Sequence, residues 1–363
     1  MQKAMQPSSH QTPSRWDGLD ALKCLCAFMV ILLHRAEGPA IDAYAVPISR
    51  MAVPVFFMIT GFFFDLRWPD VRLAHQLRKT LHMLIIGVLL YAFLLWRFCT
   101  AIGTTLPAYL QMLTDGRGIG FTIRNTLLYN SSPLPNAEHL WYLCALIYTL
   151  LIVHFIRRLL GKTGMNLLYL ATPLLILASV VFSNYSTLIT GYRFYVFETR
   201  NFLLCGIPYF CLGSLICARR TALIRRFSAG VCLLLLLLFS ALACLEEHCL
   251  IGVRTVNALD FYFSTAFQVF FAFLLFLHLS ELNPIALRPL SWIGRYHSGN
   301  IYLIHLAVGS YVQSLFSAFG LSALYRTFCP FIIFLESLLI SMLCKAFLQR
   351  IAGFISALPP KNK

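Results

Sequence analysis

The stretch from Ala229 to Leu245 reads AGVCLLLLLLFSALACL and holds no charged residue. A helix needs about 20 mostly apolar residues to cross the hydrocarbon core of a bilayer, and this run is close to that length on its own. Working outward, runs of the same kind recur at about Leu19–Leu33, Val46–Phe64, Thr80–Phe98, His139–Ile156, Asn166–Phe182, Asn201–Cys217, Asp260–Leu279, Trp292–Phe316 and Cys329–Leu348, ten in all. The segment Leu106–Leu113 is too short to span and reads as an interfacial piece. Composition points the same way. The 363 residues are 59% apolar and 12% charged, whereas a soluble domain carries about 25% charged residues. Mean hydropathy is +0.75. The sequence predicts an all-α, polytopic transmembrane helix bundle of about ten spans.

Lys and Arg outnumber Asp and Glu by 29 to 14, giving a net charge of +15. In a soluble chain that balance would raise nucleic-acid binding. Here the basic residues lie mostly between apolar runs, which excludes nucleic acid as a partner and reads as positive-inside orientation in a lipid bilayer. With the N-terminus inside, 19 basic residues fall on the inner side and 9 on the outer, with Lys23 in the first span. Both termini are therefore expected to be cytoplasmic. The polar stretch MQKAMQPSSHQTPS lacks periodicity, so residues 1–16 are expected to be a disordered cytoplasmic N-terminus. Residues 17–356 form one transmembrane domain, and 357–363 a cytoplasmic tail. Ala43-Tyr44-Ala45 loosely resembles a signal-peptide cleavage site, but His34 and Arg35 interrupt the approach to it and argue against cleavage. The 12 Cys form no CxxC pair and no zinc-like spacing, so no metal is expected and they read as small buried hydrophobes.

Ionisable groups at membrane depth are costly and mark functional sites. The first span, DGLDALKCLCAFMVILLH (Asp17–His34), carries Lys23 and His34. They are 11 residues apart, close to three helical turns, so they share a face about 16 Å apart along the axis. Taken alone, Lys23 reads as a lysine snorkelling to the interface and His34 as an interfacial helix end. Together on one face they define a candidate site, with His34 as the group suited to moving protons near neutral pH. Arg50-Met-Ala-Val-Pro54 lies within the second run, where Pro54 should kink the helix and Thr60-Gly61 should allow close helix approach. A basic hinge follows, with Arg67, Arg72, Arg78 and Lys79. It fits both positive-inside topology and the phosphates of a cytosolic nucleotide-bearing donor. Glu138-His139-Leu140-Trp141-Tyr142 starts the fourth run, where the aromatics read as interfacial belt residues and Glu138 and His139 as groups able to orient or accept protons. Arg200-Asn201 precedes Gly206-Ile-Pro208-Tyr-Phe-Cys-Leu-Gly213, a density of Gly and Pro that favours packing around a cavity. In Ser298-Gly-Asn300-Ile-Tyr302-Leu-Ile-His305, Tyr302 adjoins an intramembrane His305.

In this order, the Lys23-x10-His34 pair, VPVFFMITGFFF, HLWYL, RNFLLCGIPYFCLG and NIYLIHLAV resemble the integral-membrane acyltransferase-3 family, from about Asp17 to about Cys344. That family includes O-acyltransferases that decorate surface polysaccharides and lipopolysaccharide, and the membrane half of vancomycin-resistance serine racemases. The resemblance implies that His34 is the catalytic histidine and Lys23 its basic partner. It implies acyl-CoA, usually acetyl-CoA, as donor rather than a resident cofactor. It further implies a glycan or lipid-linked saccharide hydroxyl as acceptor on the outer side, in the cell inner (plasma) membrane. The family's second basic motif, two arginines three apart, is imperfect here, since Arg72 and Arg78 are six apart and Arg78-Lys79 adjacent. Donor contacts are expected at Arg72, Arg78 and Lys79, and substrate contacts at Arg200, Glu138, His139, Trp141, Tyr302 and His305. Arg200 or Tyr302 would polarise the carbonyl, and Glu138 or Glu37 would orient the His34 imidazole. His34 would act as general base or as transient acyl carrier. The chain would act alone or hand the acyl group to a separate periplasmic transferase. The competing class is a multispan transporter of a small polar solute such as an amino acid, using the same groups without chemistry.

Overall fold

A computed structural model describes residues 16–34, 39–70, 73–114, 116, 118–132, 134, 137–252 and 260–356. The described residues form fifteen α-helices and no strand: α1 (Asp17–His34), α2 (Pro39–Ser49), α3 (Ala52–Leu66), α4 (Leu73–Ala101), α5 (Leu106–Leu113), α6 (Gly118–Tyr129), α7 (Trp141–Val180), α8 (Ser186–Thr190), α9 (Val196–Thr199), α10 (Ile207–Arg226), α11 (Ala229–Gly252), α12 (Phe263–Leu282), α13 (Arg288–Tyr296), α14 (Ser298–Ala318) and α15 (Ser322–Ser356). Eight helical stretches are long and apolar enough to cross a bilayer. One of them, Glu138–Thr190, has 53 residues and breaks at Gly161, which adopts φ +56°, so its length accommodates two of the expected runs. Helix α1 falls outside the eight because Asp17, Asp20 and Lys23 interrupt its apolar character.

Helix α1 is central. It packs against α13, α12, α3, α14, α2 and α15, and Leu19, Ala21, Cys26, Ala27 and Ile31 are fully enclosed. In contrast, α11 is an outer helix whose leucines at 234, 237 and 238 stay exposed for lipid. Backbones touch where side chains are absent. A Cβ on Gly61 would lie 1.9 Å from the Phe210 carbonyl oxygen, and one on Gly213 would lie 2.0 Å from that of Met58. Those two glycines bring α3 and α10 together, as the Thr60-Gly61 and Gly206–Gly213 readings anticipate. All 12 cysteines are free, most of them buried.

Pro54 acts one turn upstream of itself. It has no N–H for the Arg50 carbonyl four residues earlier, and the helix is interrupted at Arg50–Met51, between α2 and α3. Ala43-Tyr44-Ala45 lies within α2. Helix α4 starts at Leu73, well before the apolar run at Thr80, because Gln76, Leu77, Arg78 and Lys79 are good helix formers. Arg78 and Lys79 are therefore exposed on the first turns of α4 rather than in a loop. Arg72 and Glu37 lie outside the described residues.

Candidate functional site

At the C-terminal end of α1, residues from six parts of the chain enclose a cavity of about 240 Å³. His34 lines it with Arg50 from the α2–α3 break, Glu138 and His139 from a 3₁₀ turn (Glu138–Leu140), Trp141, Arg200, Asp260 and Tyr302. Six of the residues singled out in the sequence thus meet at one void: His34, Glu138, His139, Trp141, Arg200 and Tyr302. Two of its polar groups, the Arg50 side chain and Asp260, were not assigned a role from sequence.

Asp260 organises the cationic wall. Arg200 grips it with two hydrogen bonds, Nε to Oδ2 at 2.9 Å and Nη2 to Oδ1, and Arg50 Nη1 lies 3.1 Å from Oδ1. The carboxylate side chain is only 3% exposed. Its backbone N–H donates to Asn184 Oδ1 at 3.0 Å, while Asn184 Nδ2 donates to the Phe261 carbonyl at 2.6 Å. Burial opposes the Arg200 charge, but the ion pair with Asp260 and the hydrogen bonds Arg200 donates to it outweigh that and raise its pKa above the ordinary arginine value. Asn201 fixes the approach of this arginine by accepting from the N–H groups of Leu203 and Leu204 at 2.9 and 3.0 Å. A π-helical turn, Phe202–Gly206, then leads into α10.

The opposite wall is built of rings. The His34 and His305 centroids are 5.4 Å apart, His305 and His139 5.1 Å, and His34 and His139 6.3 Å. Tyr302 donates its hydroxyl hydrogen to the His139 carbonyl, and His139 Nε2–H donates to the Leu303 carbonyl at 3.3 Å. Tyr302 therefore ties the 3₁₀ turn to α14 instead of aiming its hydroxyl at a bound carbonyl. His305 is buried beside His34 but is not among the cavity-lining residues. Glu138 is exposed. Two buried polar atoms of the lining make no hydrogen bond: Arg50 Nε, a donor, and His139 Nδ1, an acceptor once Nε2 carries the proton. Buried polar groups without partners are rare in folded proteins and call for an explanation. Among the described residues no group of three His, Cys, Asp or Glu is arranged to hold a metal.

Lys23 is elsewhere. Its Nζ pairs with Asp20 Oδ1 at 2.9 Å and lies 5.4 Å from the Phe63 ring centroid. Arg295 joins Asp20 and Asp17, with Nε–Oδ2 and Nη2–Oδ1 distances of 2.8 Å. Lys79 interacts electrostatically with Lys23 and Arg67, so these two basic groups of the hinge gather at this end of α1.

A membrane-embedded helical bundle with a histidine and two arginines around an internal cavity sets the class. The family model described as an acyltransferase domain matches residues 16–348, and the chain belongs to that family, Acyl_transf_3. It is a membrane-embedded acyltransferase. No curated protein and no solved structure matches it significantly, so the likeness to the membrane half of serine racemases rests on the motifs alone.

Proposed function

We propose that the protein is an O-acetyltransferase of the cell inner membrane. It would move an acetyl group from cytosolic acetyl-CoA to a hydroxyl of an envelope glycan or lipid-linked saccharide on the outer side. The observation that carries this reading is the pairing of His34 with two unsatisfied groups in one cavity. A hydroxyl both accepts and donates, so an acceptor hydroxyl would answer Arg50 Nε and His139 Nδ1 together while lying beside the His34 ring.

The donor would come from the Lys23 end, taken as cytoplasmic from the positive-inside bias. Lys23, Arg72, Arg78 and Lys79 would hold its phosphates. From there to His34 is about 16 Å along α1, a length that a pantetheine arm matches. As general base, His34 would take the proton of the acceptor hydroxyl while its oxygen bonds the acyl carbon and the carbon–sulfur bond breaks. As acyl carrier, it would first bond the acyl carbon itself and release the thiolate. In both routes Arg200 and Arg50, preorganised by Asp260, would stabilise the developing oxyanion. Release to a separate periplasmic transferase would replace the last step without altering the first.

The test is transfer of labelled acetate from acetyl-CoA into envelope glycans by membranes carrying the full chain. Activity should fall at least about a hundredfold in His34→Ala at matched protein level. Equal labelling by both forms would remove His34 from the chemistry. Labelling by neither, combined with uptake of a polar solute, would favour transport.

A further inference from the structure

Asp260 binds both arginines of the cavity, yet no helix carries it. Residues 260–262 are coil leading into α12, so the direction of the carboxylate depends on what holds that coil. Resting on the reading of Arg200 and Arg50 as the groups that stabilise the oxyanion, we propose that Asn184 is a positioning residue of the site: its carboxamide fixes the backbone at Asp260 and Phe261, and through Asp260 it aims both guanidinium groups at the cavity.

Asn184 is 1% exposed. Its Oδ1 accepts from the Asp260 N–H at 3.0 Å, and its Nδ2 donates to the Phe261 carbonyl at 2.6 Å. A backbone N–H only donates and a carbonyl only accepts, so one orientation of the amide satisfies both. A carboxamide carries donor and acceptor side by side in one plane. Bonded at both ends of this two-residue stretch, it fixes the peptide planes that bracket Asp260 and Phe261. Both residues line the cavity, so one buried amide sets two parts of its wall.

What Asp260 holds makes its direction matter. Arg200 engages both of its oxygens, and Arg50 shares Oδ1. A bidentate pair requires the planar guanidinium and the carboxylate to meet edge to edge. A turn of the Asp260 backbone would therefore break one of these bonds and shift an arginine in the cavity. The element behind Asn184 is tied to the same segment twice. Asn184 belongs to a π-helical turn, Val181–Tyr185, an irregularity of the kind that recurs at functional sites. The next residue, Tyr185, donates its hydroxyl hydrogen to Glu246 Oε1 at 2.7 Å. Glu246 in turn accepts from the Phe263 N–H at 2.9 Å and the Ser264 N–H at 3.3 Å. Two consecutive side chains of the π turn thus hold this stretch, one ahead of α12 and one, through Glu246, at its first turn.

The test is a double-mutant cycle on the full-length protein in detergent, read by thermal unfolding. Asn184→Ala should lower the melting temperature by several degrees in the wild type. It should lower it much less in the Asp260→Asn background, where the ion pairs that Asn184 positions are already gone. Equal shifts in the two backgrounds would reduce Asn184 to two local hydrogen bonds and overturn the proposal. Should Asp260→Asn not fold, Arg200→Gln takes its place in the cycle with the same expectation. In the acetate-transfer assay, kcat of folded Asn184→Ala should fall about tenfold, as for one lost buried hydrogen bond, with KM for acetyl-CoA unchanged. A kcat equal to that of the wild type would also overturn the proposal. The cycle itself needs no turnover. If it shows coupling while the wild type transfers no acetate, the reading of the arginines as oxyanion-stabilising groups fails and the positioning of Asp260 by Asn184 stands.

Discussion

The two ends of α1 both concentrate charge, and they handle it differently. At the Lys23 end, Asp17 and Asp20 are each held in ion pairs by Lys23 and Arg295, with Lys79 and Arg67 close by. The helices there approach backbone to backbone: a Cβ on Gly294 would lie 1.7 Å from the Asp20 carbonyl oxygen. At the His34 end, one buried carboxylate serves two arginines, with Arg50 Nε and His139 Nδ1 unbonded around a void. Charges satisfied by one another fasten helices. A constellation with groups left over is arranged for something that arrives later.

The sharpest way to break this contrast is Asp260→Asn. It strands two guanidinium groups with 18% and 19% side-chain exposure around a nearly inaccessible position. Removing one partner of a buried pair costs about 3–5 kcal/mol, so thermal unfolding in detergent should move down markedly and acetate transfer should collapse. Asp20→Asn should cost less, since Arg295 keeps Asp17. Equal destabilisation by the two variants would erase the difference between the ends. A smaller effect is expected from Gly294→Val, which forces α13 away from α1 at a cost of about 1–3 kcal/mol. Thermal stability should fall, and any loss of transfer by the surviving folded fraction should appear in KM for acetyl-CoA and not in kcat, because the cavity lies at the far end of α1 from the donor contacts proposed above. The smallest change in stability should come from Lys23→Gln. A partly exposed pair contributes about 0–1 kcal/mol, so unfolding should barely shift. If Lys23 holds the donor, KM for acetyl-CoA should rise with kcat nearly unchanged; a fall in kcat alone would move Lys23 out of donor binding.

Most of the helical layout was legible because lipid demands it: long uncharged runs such as Ala229–Leu245 have few other solutions. His34 and His139 were legible because an imidazole at membrane depth stands out against leucine, and Arg200 because it stands at the entry to a Gly- and Pro-rich run. Asp260 was missed although the same rule applies to it. It begins an apolar run, where an acidic residue reads as the end of a span, and its partners Arg50 and Arg200 are 210 and 60 positions away in sequence. Arg50 was noticed for its nearness to Pro54, not for its side chain, since only the break at Arg50–Met51 turns that side chain to the cavity. The placement of the His305 ring beside that of His34 depends on packing between α1 and α14, which no local spacing encodes.

The π-helical turn Phe202–Gly206 has a consequence for insertions and deletions. A π turn holds one residue more than an α turn, and π-bulges recur at functional sites. Removing one residue from this segment, Leu203 for instance, would let the backbone close into regular α-helix with its ladder of hydrogen bonds intact. The turn already takes in the extra residue, so its removal leaves the flanking segments in their orientation and Arg200 on Asp260. Deleting Leu203 should therefore give a helical, membrane-inserted protein that keeps acetate transfer, and loss of transfer in that variant would show that the bulge itself shapes the cavity.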